Sequence, residues 1–188
     1  KKIFISVCGS EVRDPEMLEI INPYLCREIY SSFYSEKIIR RNRKNVDFFG
    51  RISSRILTWR ETSLYFYKFQ NKSIEFHSHH FCKKTITEIR KTDSREIKIL
   101  HAPSHKGKKG SKWVKMAVDR LLHEGYKIQY QELSGVSYNK VQEEIQKADI
   151  VIDQILLGDF GNLAVEGMRE GCVVMAYLLP FFAERFSP

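Results

Sequence analysis

Two short stretches of this 188-residue chain combine the residue types that hold phosphate and ribose. The first, His101-Ala102-Pro103-Ser104-His105-Lys106-Gly107-Lys108-Lys109-Gly110, follows a strand-like run and opens a helix. Its glycines permit close backbone approach, the helix start offers unpaired N–H groups, and its lysines add charge where an anion would sit. The G-x-x-x-x-G-K-[ST] spacing of a P-loop is absent, and an ordinary basic turn is the alternative. The second stretch, Gly158-Asp159-Phe160-Gly161-Asn162-Leu163-Ala164-Val165-Glu166, crosses from a strand into a helix. Gly161 removes the Cβ that would keep a ligand from the helix N-terminus. Glu166, about a turn and a half inside, is an acceptor aimed at the same mouth. Taken alone it also fits a surface Glu on an ordinary helix. A nucleoside diphosphate needs both stretches, donors for its phosphates and a fixed acceptor for its ribose hydroxyls.

The elements that must position these residues alternate. Ile97–Leu100 reads as a strand, Ser111–Glu124 as a helix with Val114, Ala117, Val118 and Leu121 at core spacing, and Tyr126–Glu132 as a strand. Tyr138–Lys147 follows as a helix, Asp149–Gln154 as a strand, Gly161–Glu170 as a helix and Val173–Tyr177 as a strand. Strand–helix alternation predicts an α/β fold, a Rossmann-like parallel sheet with helices on both faces and ligands at the carboxyl ends of its strands. The first half is less regular. Lys2–Val7 is a strand, an irregular proline-punctuated stretch runs through Pro15 and Pro23, and Ser35 to about Gly50 is a basic amphipathic helix, with a further turn through Arg51 and Ile52 left open. Arg55–Trp59 is a short strand, Glu61–Phe69 a helix and Ser73–His77 a further strand. Residues 83–96 have the polarity of a linker. The expected division is therefore 1–95, a partial second α/β domain, and 96–188, a nucleotide-binding domain truncated at its C-terminal end. The chain starts directly on a strand without Met and stops just beyond another, so it is expected to be a fragment.

Bulk properties narrow the class. A hydrophobic content of 43% supports a core rather than a disordered chain. No 18-residue apolar run occurs in these residues, so no membrane crossing and no signal peptide are expected from them. Cys8, Cys26, Cys82 and Cys172 lack C-x-x-C spacing, which favours reduced thiols and a cytoplasmic protein. Residues 1–96 carry 19 Lys and Arg against 12 Asp and Glu, whereas residues 97–188 carry 12 against 11. The basic excess gathers at Lys37, Arg40, Arg41, Arg43, Lys44, Arg51, Arg55 and Arg60. That is either a solvated helix face or a surface for an anionic partner such as lipid, nucleic acid or a phosphorylated substrate. His77, His79, His80 and Cys82 are ligand-type residues, but no second cluster exists to close a metal site, so no metal is expected. Trp59, Tyr65, Phe66, Tyr67 and Phe69 fit packing beneath a helix, or stacking on a sugar or base.

Taken in order, these motifs resemble the carboxyl-terminal half of GT-B fold glycosyltransferases, the large retaining group that uses nucleoside-diphosphate sugars. Lys109-Gly110 matches that family's diphosphate-contacting Lys-Gly pair after the first strand. Ala148-Asp149-Ile150-Val151-Ile152-Asp153-Gln154 looks like its A-D-x-x-V strand, with Gln154 where a donor-contacting polar residue often lies. Phe160-Gly161, Glu166, Gly167-Met168 and Gly171 match its E-G-F-G-x-x-x-x-E element and the helix end beyond. The likeness spans about 85 residues. In the first half, Val7-Cys8-Gly9-Ser10-Glu11-Val12-Arg13 is similar to the H-G-S-D-x-R strand end of the acceptor domain.

The resemblance implies a hexosyl-type, retaining transferase that moves a sugar from a nucleoside-diphosphate sugar to a glycan or lipid-linked acceptor in cell-surface polysaccharide synthesis. It implies Lys109 and Glu166 in catalytic roles. Donor contacts would come from His105, Lys106, Gly110, Gln154, Asp159, Phe160 and Gly161, and the acceptor-side cleft from Gly9, Ser10 and Arg13. No cofactor beyond the sugar nucleotide is implied, and no nucleic acid; peripheral contact with the inner face of an anionic membrane follows from charge alone. Three positions depart from the pattern. Gly158 stands where the first Glu of the pair belongs, with Asp159 one place out of register. Ser104 replaces the usual Arg, leaving His105 and Lys106 as substitutes, and Cys8 occupies the place of a cleft His. These departures motivate a nucleotide-sugar binder without transfer activity as the second reading, and a basic nucleic-acid binder as the third.

Overall fold

The computed structural model describes residues 2–7, 9–58, 60–72, 74–76 and 96–184. It forms two compact units, Lys1–His79 and His80–Pro188. The expected boundary at residue 95 and the His77–Cys82 cluster lie outside the described residues, as do Cys8 and Trp59.

In unit 1, strands β1 (Phe4–Val7), β2 (Arg55–Thr58) and β3 (Ile74–Phe76) form a parallel sheet in the order β1-β2-β3. The stretch expected to be irregular is instead two helices, α1 (Pro15–Ile21) and α2 (Pro23–Phe33). Both prolines stand at the first helical position, where the missing N–H would have no partner and the fixed φ suits the helix. Asp14 caps α1 by accepting from the Glu16 amide at 2.9 Å. Asn22 serves both helices, since its N–H donates to Leu18 O at 2.7 Å and its side chain accepts from Leu25 N at 3.1 Å.

Helix α3 (Glu36–Ile52) starts at the Ser35 cap and runs past Gly50. Gly50 is a contact point rather than a terminator. A Cβ there would stand 2.3 Å from the ring of Phe69. The expected helix over 61–69 is split into α4 (Arg60–Ser63) and a 3-10 helix (Leu64–Phe69). The chain kinks at Phe66, which is fully buried with Val7, Val12 and Ile56.

In unit 2, β4 (Ile97–His101), β5 (Ile128–Glu132), β6 (Ile150–Ile152) and β7 (Val173–Met175) form a parallel sheet in the order β5-β4-β6-β7. The period-2 alternation of strand side chains splits its core between two faces. Ile99 and Ile152 pack with Val114 of α6 (Ser111–His123) on one. Leu100 and Val151 pack with Ile145 of α7 (Tyr138–Ile145) and Leu163 of α8 (Asn162–Arg169) on the other. Unit 2 is thus a parallel α/β layer structure with helices on both faces, consistent with a Rossmann-like fold. One periodic assignment shifts: the buried stripe of α6 runs through Ser111, Val114 and Val118, and Ala117 is rotated past its edge into solvent. The lysine loop also holds a one-turn helix, α5 (Lys106–Lys109), and α9 (Pro180–Ala183) follows the last strand. Among the described residues, no helix is long and apolar enough to cross a membrane.

Candidate functional site

The strand order of unit 2 creates its cleft. The chain leaves β4 for β5 on one side and returns as β6 on the other, so the loops beyond β4 and β6 diverge where the strand order reverses. Lys109 and Gln154 meet at this point. The Lys109 ammonium lies 2.9 Å from Asp153 Oδ1 and also donates to Gln154 Oε1. A backbone bond from Ile155 N to Lys109 O, 3.2 Å, ties the two loops together. Gly110 makes the turn possible: its φ of +80° is left-handed, and a Cβ would come within 2.6 Å of Ile155 Cγ1.

Asp153 is the centre of the arrangement. Its Oδ1 faces the lysine while Oδ2 accepts from Gly161 N, at the start of α8. The carboxylate therefore binds one cation and one helix N-terminus, the two groups expected to receive a donor phosphate. A Cβ on Gly161 would lie 3.1 Å from both Asp153 Oδ2 and Lys109 Nζ, a tight approach that would push these side-chain ends aside by a few tenths of an ångström. Around it, Gln154 donates to the Asp159 carbonyl, and Asp159 Oδ1 accepts from Phe160 N at 2.8 Å.

Beneath the cluster, His101 is fully buried at the end of β4. Its Nδ1 lies 2.8 Å from Ile152 O and its Nε2 2.8 Å from Ser111 Oγ. A carbonyl can only accept, so Nδ1 carries the proton and Nε2 accepts from the serine. Burial holds the imidazole below its ordinary pKa of 6.5 and keeps it neutral. His101 thereby staples β6 and the start of α6 to β4.

The remaining expected donor residues are distributed more widely. His105 caps α5, with Nδ1 accepting from Lys108 N at 3.4 Å. Lys106 pairs with Glu132 at 2.7 Å, and its ammonium holds that carboxyl below the usual range. Glu166 is buried and held by a different set of partners: Tyr138 OH at 3.2 Å and Gln142 Nε2 at 2.7 Å, both on α7. The Tyr138 ring itself is largely exposed.

In unit 1, the residues expected on the acceptor side gather beyond β1. Gly9, at φ +126°, gives way to Arg13, whose Nη2 would stand 3.0 Å from a Cβ there. The Arg13 guanidinium grips Glu61 with two bonds, 3.1 and 2.9 Å. Burial disfavours its charge, but Glu61 more than offsets this and raises its pKa. Asn42 of α3 donates to Ser10 O at 3.0 Å and Arg13 O at 2.7 Å, fixing the loop. A separate hollow of about 430 Å³ is lined by Val12, Asp14, Met17, Arg43, Tyr65 and Tyr67 among others, and does not include Gly9, Ser10 or Arg13.

Sequence reasoning missed Asp153, His101, Glu61 and Tyr138 as site members. Asp153 carried a usable signal, a carboxylate one residue past an apolar strand where ligands of such sheets bind. Glu61 carried none, since its partner lies 48 residues away. Known protein families contain none whose pattern matches this chain, and no curated protein matches it either.

Proposed function

We propose that this chain serves glycosyl transfer from a nucleoside-diphosphate sugar, with unit 2 binding the donor in the manner of a GT-B carboxyl-terminal half. The observation that carries this reading is the Lys109–Asp153–Gly161 cluster at the strand-order reversal. A cation and a helix N-terminus there already share one anion, the Asp153 carboxylate. A donor diphosphate takes over those two groups as Asp153 turns aside. Lys109 and the α8 amides then stabilise the charge that develops as the diphosphate leaves, each such donor contributing on the order of 3 kcal/mol. Glu166 accepts from the ribose hydroxyls once Tyr138, its exposed partner, yields. The acceptor side falls to unit 1 around Gly9 and Ser10, for a glycan or lipid-linked acceptor of cell-surface polysaccharide synthesis. Retention of configuration and independence from any cofactor come with the resemblance.

Calorimetric titration with UDP, GDP, ADP and their sugar conjugates tests this. The expected result is saturable binding of one base class, lost in Lys109→Ala and weakened in Glu166→Gln. A folded protein that binds none of them overturns the reading.

One observation favours a second reading, donor binding without transfer. Gly158 stands where the first carboxylate of the pair belongs, and neighbouring Asp159 spends its side chain on the next backbone amide. Release of free nucleotide diphosphate in the presence of glycan and lipid-linked acceptors separates the two.

A further inference from the structure

We infer that the solvent face of α3 is a docking surface for an anionic lipid membrane. The inference does not depend on the donor-site reading. At about 100° per residue, Lys37, Arg40, Arg41, Lys44, Phe48, Arg51 and Ile52 fall within an arc of roughly 120°. The arc holds five cations and no carboxylate. The acids of the same helix, Glu36 and Asp47, lie beyond its edge. Arg43, on the far side, is neutralised by Asp14 and Glu16. Within the arc, Arg40 meets Glu36 only through a fully solvated 3.5 Å contact, and Arg41 reaches only the neutral Asn42.

Two apolar side chains stand among these charges. Phe48 is 57% exposed and Ile52 41%. Phe48 is not a core residue displaced outward, because Phe49 beside it fills the core with Val7 and Phe66. A 17-residue helix is about 25 Å long, enough to lie along a surface. A straight row of cations with an aromatic between Lys44 and Arg51 fits a flat layer of anionic headgroups above an apolar interior. The cations neutralise the headgroups while Phe48 and Ile52 enter the headgroup–acyl boundary. Asn42, buried, and Asn45, half-buried at the edge of the arc, anchor the helix to the loop carrying Ser10, Glu11 and Arg13. Docking through α3 therefore holds that loop at a fixed height above the lipid.

The test is flotation of the full chain with vesicles of phosphatidylcholine alone or with one-third phosphatidylglycerol, at low and high salt. Binding is expected to the anionic vesicles only and to weaken with salt. Neutralising Lys37, Arg41 and Lys44 to Gln together is expected to weaken it about a hundredfold, from about fivefold per cation. Phe48→Ser is expected to weaken it about tenfold. Phe48→Trp, which reads the face directly in an otherwise intact protein, is expected to show a blue-shifted difference spectrum against wild type on binding. No binding to anionic vesicles, or unchanged binding of the triple variant, overturns the inference. So does an unshifted tryptophan at position 48. Salt-sensitive binding to duplex DNA or RNA at least as tight, and indifferent to Phe48→Ser, assigns the face to nucleic acid and overturns it equally.

Discussion

Both units place a cation–carboxylate pair just beyond the carboxyl end of a parallel strand, yet the two pairs are built for different ends. In unit 1, Arg13 and Glu61 form a planar, two-bonded fork, with side chains 11% and 5% exposed. Each is the other's main charge partner, with two guanidinium donors set against both carboxylate oxygens and Tyr34 and Tyr65 beside the pair. In unit 2, Lys109 meets Asp153 through one bond and shares itself with Gln154, while Asp153 divides its oxygens between the lysine and the α8 amide. Lys109, Asp153 and Gln154 each bond two partners in that second cluster, and an incoming anion supplies one more. The first pair is a clamp. The second is an exchangeable contact, the kind a ligand can enter.

The largest expected effect tests the clamp. Arg13→Ala leaves Glu61 charged and buried, at a cost of about 4 kcal/mol in urea unfolding. Lys109→Met is expected to cost about 2, because the helix N-terminus still faces Asp153. Equal losses would break the distinction. The glycines beside the pairs sharpen it further. Gly9→Ala forces a Cβ into a left-handed backbone against Arg13, for about 2 kcal/mol. Gly161 is extended, and its Cβ meets only side-chain ends, so Gly161→Ala is expected to cost under about 1 kcal/mol in stability while impairing ligand binding.

Acid separates the units more gently. The folded-state pKa of His101 is depressed from 6.5, so its contribution to unit 2 is present above that value and lost as pH falls through the depressed one. In unit 1, burial would raise Asp14, but Arg43 and the α1 amides prevail and lower it from 3.8. Its contribution persists until pH falls below that value. Unit 2 is therefore expected to lose stability first on acidification from pH 7 to 5. Single-tryptophan variants retaining Trp59 or Trp113 report the two units separately, and His101→Gln is expected to flatten the unit 2 response.

How far the sequence disclosed this differs between the same two regions. In unit 2 β6 and β7 are apolar runs, β5 alternates, and the longer helices show a 3.6 period, so local pattern and tertiary role largely agree. Lys109, Gln154 and Gly161 were legible because they stand at strand-to-helix crossings. Unit 1 hid more. Pro15 and Pro23 read as breakers, although Asp14 before one and Asn22 before the other are helix-cap signals. Gly50 left the helix end open between a stop and a further turn through Arg51 and Ile52, because its contact, Phe69, is distant in sequence. Glu166 stood out in the sequence for its place in the helix after Gly161, but its bonds to Tyr138 and Gln142 were hidden, since they depend on how α7 packs against α8.

On the proposed donor reading, Asp153 occupies the place of a donor phosphate. The direct measurement is the UDP dissociation constant of wild type, Lys109→Met and Asp153→Asn under one buffer condition. Removing the internal anion while keeping its shape is expected to tighten binding about tenfold, the scale of one charge-assisted hydrogen bond. Lys109→Met is expected to abolish binding. Weaker binding in Asp153→Asn with the fold intact would make Asp153 part of the ligand's own support, and the claim would fall.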